Sequence, residues 1–344
     1  MAMVTDLEAD PPAIDRRSRA PAGVRLSWLS WLSGGLGRLG LGMWAIWGSM
    51  WVPAWVLVLS SLWPGQVAAG TLETIRSTGV IRVAYRDGSI PFAYDDEAGR
   101  PLGFSIDLCT RLVNNLREQL KLPTLRIQWS RVSAQDRLQV VSSGKVDMEC
   151  GSTTNTAARR EQHAFTMPTF IAGMKIMSHR SLAAGGLDDL VGRRVAASNA
   201  TTALQLLNQA NQARGGNSIR VIEVKGHREA WKMLESGEVD AWLTDDVLMT
   251  AYRATSPQAG SFVLSRRFLS IEPYGFVLRK EDAELLAIFN REIARLMRSG
   301  DYRRLYETWF TQPIPGQNVN LNHPMNEILR AHLQLPSETL PVLF

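Results

Sequence analysis

The chain has 344 residues, 45% of them hydrophobic and 21% charged, with a net charge of +5. That length accommodates two core-bearing domains, and that composition excludes a disordered chain. The positive excess is modest and no basic run carries interleaved aromatics, so no nucleic-acid partner is expected; the charge favours small anions instead.

Residues 1–69 read as an export segment. Arg16, Arg17, Arg19, Arg25 and Arg38 precede an apolar run from about Leu39 to Trp63. Val67 and Ala69 then satisfy the small-residue rule for signal cleavage, so cleavage after Ala69 is expected. The run is also long enough to span a bilayer, which makes an uncleaved anchor the alternative. Gly35-Leu36-Gly37-Arg38-Leu39-Gly40 has the spacing of a dinucleotide loop. It follows no strand and opens no βαβ unit, so it is not a nucleotide site.

From Thr71 the pattern alternates. A helix over Thr71–Ser77 leads to a β-branched strand, Val80–Tyr85, with Arg86 at its carboxyl end, where open α/β sheets bind ligands. Ile106, Leu108, Leu112 and Leu116 give Ser105–Leu120 helical spacing. A strand at Leu125–Trp129, a helix at Gln135–Ser142 carrying Arg137 and a strand at Val146–Glu149 follow. Gly151 then opens a turn with three hydroxyls, Ser152, Thr153 and Thr154, ahead of a short helical segment carrying Arg159. Hydroxyls and unpaired N–H groups at such a turn suit an anion, and Arg159 adds a bidentate grip on a carboxylate. Taken alone, the same turn also fits an N-cap cluster with a solvated arginine.

Pro168–Met177 is an extended apolar stretch and predicts a strand crossing to a second lobe. That lobe repeats the alternation: strands at Arg194–Ala197, Arg220–Val224 and Val239–Leu243, helices at Thr201–Ala213, His227–Leu234 and Asp245–Arg253. Leu269–Pro273 returns, Tyr274–Leu278 rejoins the first sheet, and helices at Asp282–Arg298 and Gly300–Phe310 precede a tail with one short helix. Alternating strands and helices imply largely parallel sheets flanked by helices, and two crossings make a hinge. The halves resemble each other as units, without a sequence repeat. The expected division is an export segment over 1–69, a first lobe over 70–172 completed by 271–344, and a second lobe with the hinge strands over 173–270.

Several blocks in one order resemble the amino-acid-binding proteins of ABC importers, the glutamate/aspartate-binding subgroup of the family 3 extracellular solute-binding proteins above all. They are Gly79-Val80-Ile81-Arg82-Val83-Ala84-Tyr85-Arg86, the stretch from Asp147 to Arg160, Leu234-Glu235-Ser236-Gly237, Asp245-Asp246, and Trp309-Phe310 followed by Pro313-Ile314-Pro315. The likeness runs from about Thr71 to about Leu335. It implies a two-lobe periplasmic-binding-protein clamshell (type II), an α/β fold with a two-strand hinge. It further implies a non-catalytic, monomeric periplasmic receptor that delivers L-glutamate or L-aspartate to an ABC importer permease in the inner membrane, with no cofactor and no metal.

The resemblance also assigns roles. Arg159 holds the α-carboxylate with donors from Ser152, Thr154 and Thr201, and Asp245 accepts from the ammonium. Arg86, Arg137 and His227 surround the side-chain carboxylate, with His227 expected to be charged at low pH. Three departures stand out. A serine of the family falls on Ala134, beside Ser133. The family's Thr-Ser-Gly-Thr-Thr loop reads Ser198-Asn199-Ala200-Thr201-Thr202, where Ser198 keeps a hydroxyl and Ala200 replaces glycine. A cysteine that relatives place after Tyr-Gly is Phe276 here, so Cys150 lacks that partner; two separate buried thiols at Cys109 and Cys150 are expected rather than a bond between them. The competing functions are a cyclohexadienyl-dehydratase-like enzyme on the same fold and a membrane-anchored amino-acid sensor.

Overall fold

The computed structural model describes residues 70–315, 317 and 319–339. The expected export segment, its cleavage site and the glycine-rich stretch at 35–40 lie outside the described residues. Among the described residues no helix is long and apolar enough to cross a membrane.

The described part opens with α1 (Thr71–Thr78), β1 (Val80–Tyr85), the separate hairpin β2 (Tyr94–Asp95) and β3 (Pro101–Leu102), α2 (Phe104–Gln119), β4 (Arg126–Arg131), α3 (Gln139–Ser142), β5 (Met148–Glu149), α4 (Ala157–Gln162) and β6 (His163–Phe165), of which β1, β4, β5 and β6 enter the first sheet. The chain then runs along β7 (Phe170–His179) into the second sheet. That sheet contains β8 (Arg194–Ser198), α5 (Thr202–Ala213), β9 (Arg220–Val224), α6 (His227–Glu235), β10 (Ala241–Asp245), α7 (Asp246–Ala254) and β11 (Phe262–Leu264). It returns along β12 (Ser270–Tyr274) to β13 (Val277–Arg279), α8 (Ala283–Ser299), α9 (Asp301–Tyr306) and α10 (Glu327–Gln334).

The strand order is β4-β1-β5-β13-β6 in one sheet and β11-β7-β10-β8-β9 in the other, with β12 paired to β7. Each sheet has a parallel block at one end, β4-β1-β5 and β10-β8-β9. The antiparallel pairings involve β7 and β13, which lie where the chain crosses and returns. The hinge is the β7–β12 ladder, Met174 opposite Ser270 through Phe170 opposite Tyr274.

An aromatic cluster braces the entry to that hinge. Phe170 at the start of β7 packs its ring 4.9 Å from Phe92 and 5.1 Å from Phe310. Phe310 belongs to the Trp309-Phe310 block, so that block works by packing. The C-terminal elements also hold the backbone ahead of and within β7. Tyr302 Oη donates to Thr169 O at 2.7 Å, Asn326 Nδ2 donates to Ile171 O at 2.7 Å, and His332 Nε2 lies 3.0 Å from Pro168 O. The C-terminal elements therefore lie against the first lobe.

A short repeat that the sequence reading passed over marks both lobes. Ser143-Gly144-Lys145-Val146-Asp147 and Ser236-Gly237-Glu238-Val239-Asp240 fold alike. Gly144 and Gly237 both take the left-handed conformation, with φ of 70° and 77°. Asp147 N–H donates to Arg82 O and Asp240 N–H to Arg194 O, each at 2.8 Å. The carboxylates answer in kind: Arg82 N–H donates to Asp147 Oδ2, and Arg194 N–H to Asp240 Oδ2, again at 2.8 Å. In each lobe this clasp joins the middle strand of the parallel block, β1 or β8, to the strand that ends at the cleft, β5 or β10.

The expectation of two separate thiols is corrected: Cys109 and Cys150 form a disulfide. Helix α2 lies over the sheet and brings the two Cα atoms to 6.2 Å, within bonding range. Sequence gave no access to this, because the partners are 41 residues apart. The bond closes a loop of that length immediately ahead of Gly151. Replacing both cysteines by alanine is expected to lower unfolding free energy by about 2–4 kcal/mol. Urea denaturation of the oxidised protein and the double variant measures it, and an unchanged midpoint would contradict a structural role.

Candidate functional site

Arg86, Arg137, Ser152, Thr154, Arg159, Thr201, His227 and Asp245 line one narrow cleft, together with Thr202, Ala203, Thr244 and Leu248. Eight of the nine expected residues therefore meet. Ser198 stands behind them, buried, with Oγ 3.5 Å from His227 Nδ1.

The loop after β5 reaches the cleft because other groups fix its backbone. Asn155 N–H donates to Pro273 O at 2.8 Å and Gly275 N–H to Thr153 O at 3.1 Å. The cap of α4 is Thr156, whose hydroxyl accepts from Arg159 N–H at 3.3 Å. Ser152 and Thr154 are thus not consumed as caps. Arg159 is no freely solvated arginine: Nη1 donates to Thr154 O at 2.8 Å, and Nη2 donates across the cleft to Ala200 O at 3.2 Å.

Arg137 sits in a turn ahead of α3, where a longer helix was expected, and it is buried. Its Nε donates to Thr153 Oγ1 and its Nη2 to Ala200 O, both at 3.0 Å, while Nη1 donates to Ala134 O. Burial, then the neighbouring Arg159 and Arg86, lower its pKa to about 9. Ser133 does not replace the serine missing at Ala134, since it is exposed and its hydroxyl donates to Asp136. Ala200 adopts φ 55°, the left-handed conformation a glycine would take without cost. That conformation accompanies a carbonyl that accepts from both Arg137 and Arg159.

Arg86 is buried at the end of β1, and its Nη2 has no hydrogen-bond partner among the described residues. Burial lowers its pKa to about 10. An unpartnered buried guanidinium nitrogen is costly and marks a place for an anion. The expectation of a charged His227 is corrected. Burial, followed by Arg86 and Arg137, holds its pKa well below the ordinary value, so the imidazole is neutral and offers one N–H.

The opposite side of the cleft is acidic. Asp245 precedes α7 without capping it through its side chain, and its Oδ2 accepts from Tyr274 Oη. The neighbouring Asp246 instead accepts from Gly173 N–H at 3.2 Å and Val247 N–H at 2.8 Å, which ties α7 to the hinge. Burial and then the charge of Glu272 push Asp245 well above the usual carboxylate range. Glu272, on β12, accepts from Thr202 Oγ1 at 2.8 Å and from Ser270 Oγ. Thr201 caps α5 and its hydroxyl donates to Ser198 O at 2.6 Å, so its side-chain donor is already engaged. Thr202, Thr244, Glu272 and Tyr274 were missed by sequence reasoning. Two of them had a signal: Thr202 by its place in Ser198-Asn199-Ala200-Thr201-Thr202 and Tyr274 by its place in Tyr274-Gly275-Phe276.

Three cationic groups thus converge on one side of a narrow cleft between two sheets and a carboxylate pair faces them from the other. The chain matches the sequence profile of the bacterial extracellular solute-binding proteins, family 3, over residues 81–312. It is 37% identical over 270 residues to an L-glutamate/L-aspartate-binding protein of Pseudomonas aeruginosa, covering 78% of this chain and 89% of that one. It is 31% identical over 271 residues to a glutamate/aspartate import solute-binding protein of Escherichia coli, covering 79% and 89%. Among solved structures it is similar to an ancestral amino acid-binding protein described as a precursor of cyclohexadienyl dehydratase, with a TM-score of 0.61, 27% identity and 71% and 100% coverage. The holo arginine-binding protein of T. maritima superposes with a TM-score of 0.58 at 27% identity, covering 69% and 98%. By profile, by identity over most of its length and by a two-sheet architecture joined at a β7–β12 hinge, this chain belongs to the bacterial extracellular solute-binding proteins of family 3.

Proposed function

We propose that this protein is a periplasmic receptor that captures L-glutamate or L-aspartate by closure of two lobes and passes it, as a monomer, to the permease of an ABC importer. The observation that carries the ligand class is the layout of charge: an unpartnered buried Arg86, with Arg137 and Arg159 beside it, opposite Asp245 and Glu272. An acidic amino acid has two carboxylates and one ammonium, and burying them requires a partner for each. Arg159 takes the α-carboxylate beside Ser152 and Thr154. Asp245 takes the ammonium, whose charge relieves the repulsion from Glu272. Arg86, Arg137 and the neutral His227, oriented by Ser198, take the side-chain carboxylate. At Thr201 the backbone N–H groups opening α5 are the donors offered.

In this reading 70–172 and 271–344 form one lobe and 173–270 the other. Ligand favours closure through contacts to both, because only differential contacts shift such an equilibrium. Tyr252 Oη already donates to Gly88 O at 2.7 Å across the lobes, beside the two arginine bonds to Ala200. Solution scattering is expected to show a smaller radius of gyration with saturating glutamate than without it. An unchanged profile would count against a hinged receptor.

One observation favours a second reading, an enzyme on the same fold. Asp245, whose pKa burial and the charge of Glu272 raise well above the usual carboxylate range, is tuned in the direction a general acid needs. Incubation with prephenate or arogenate tests it, and turnover would displace the receptor reading.

A further inference from the structure

Glu149 ends β5, and no role assigned above uses it. Its side chain is fully buried, and neither carboxylate oxygen has a hydrogen-bond partner among the described residues. It folds back against Gly151, where a Cβ would sit 2.2 Å from Oε1, so the glycine makes room for the carboxylate. On either side lie Ala84 of β1 and Val277 of β13, both uncharged. The charged groups whose fields reach it are Arg137 from the turn before α3, Arg159 from α4 and Arg86 from the end of β1. His163 of β6 turns its ring nitrogens to the carbonyls of Arg159 and Leu138, at 3.3 and 3.1 Å. The neighbouring Thr153 hydroxyl also favours the charged form, and beyond it this buried carboxylate is kept ionised by the cations around it, Arg137 foremost.

We propose that Glu149 is the internal counter-charge of the arginine cluster, and that it takes up a proton when an acidic amino acid brings its own carboxylates to those arginines. The proposal rests on the acidic-ligand reading above. The physical reason is competition. Two ligand carboxylates satisfy the same guanidiniums, and the surplus negative charge is the fully buried one with the fewest donors, Glu149. Burial, opposed chiefly by Arg137, already sets the Glu149 pKa at about 7, so a further upward push moves it across neutral pH. Glu149 is therefore a positioning residue that acts through the arginines, and it makes ligand affinity depend on pH.

The sign follows from linkage. Well below pH 7 Glu149 is protonated with or without ligand, and it has no effect on affinity. Above pH 7 binding must also protonate it, so affinity falls as pH rises, by no more than about tenfold per pH unit for one proton. Glu149→Gln removes that requirement. The variant is expected to match the wild type for glutamate at pH 6 and to bind about tenfold more tightly than the wild type at pH 8.

Calorimetric titration with glutamate and with aspartate, in buffers of differing ionisation enthalpy, reads both affinity and protons exchanged. Asp245 shifts in the opposite sense on pairing with an ammonium, so the quantity to compare is the difference between wild type and Glu149→Gln. The wild type is expected to take up more protons than the variant at pH 7 to 8. Equal proton exchange, or a variant weaker at every pH, would overturn the proposal and leave a structural role. If the variant does not fold, wild type carrying labelled glutamate side-chain carboxyls supplies the test by NMR. One buried glutamate resonance is expected to move to its protonated position when unlabelled aspartate is added at pH 7.5, and none moving overturns it. Absence of binding by both amino acids would overturn the acidic-ligand reading together with this one, whereas binding without a Glu149-dependent proton overturns this one alone.

Discussion

Glutamine is expected to bind more than a hundredfold more weakly than glutamate. The ground is Arg86, buried at the end of β1 with Nη2 unpartnered. Arg137 stands beside it, and the neutral His227 adds one more donor. All three groups donate. A carboxylate accepts from them with both oxygens, whereas an amide turns an NH₂ toward them and leaves a buried cation unpaired. That mismatch is expected to cost about 3–5 kcal/mol. Arg137 already donates to Thr153, Ala134 and Ala200, so Arg86 is the group most in need of the ligand. Arg86→Leu alone is therefore expected to close most of the gap between acid and amide, and Arg86→Leu with Arg137→Gln to close more, because the element that rejects the amide is gone. Titration of the wild type and both variants with glutamate, aspartate, glutamine and asparagine measures it. Equal affinity of the wild type for acid and amide would return the protein to the broader class of polar amino-acid receptors.

Arg159→Ala is expected to weaken binding of every amino-acid ligand by about 2–5 kcal/mol, the cost of truncating one partner of a buried charge pair. The guanidinium bridges two places, Thr154 O on its own lobe and Ala200 O across the cleft. Truncation therefore removes a ligand contact and one of the bonds that hold the lobes together. The fold is expected to survive, since the side chain contributes to no hydrophobic core. Calorimetry with a thermal-unfolding control separates the two effects. A loss below about tenfold, or 1.4 kcal/mol, would show that the α-carboxylate lies elsewhere.

These expectations draw on two kinds of information. The sequence by itself determined the succession of strands and helices, because apolar spacing reports local burial with the period of each element. Val80–Tyr85 and Arg220–Val224 were legible to the residue. Family resemblance pointed to most of the cleft as well: eight of the nine residues it implied line the same cleft.

What it left open depends on groups distant in sequence. The bond between Cys109 and Cys150 required α2 to lie over the sheet, which no local pattern encodes. Arg137 was expected on a longer helix facing the ligand, and only the loop around Thr153 and the facing lobe at Ala200 show what holds its guanidinium. His227 was expected to be charged, but protonation is decided by the dielectric and by neighbouring charge, here Arg86 and Arg137 brought from two other elements. Glu149 sits in a motif that was read for its glycine and hydroxyls. Its importance lies in having no partner, and an unpaired group is visible only once every neighbour is in place.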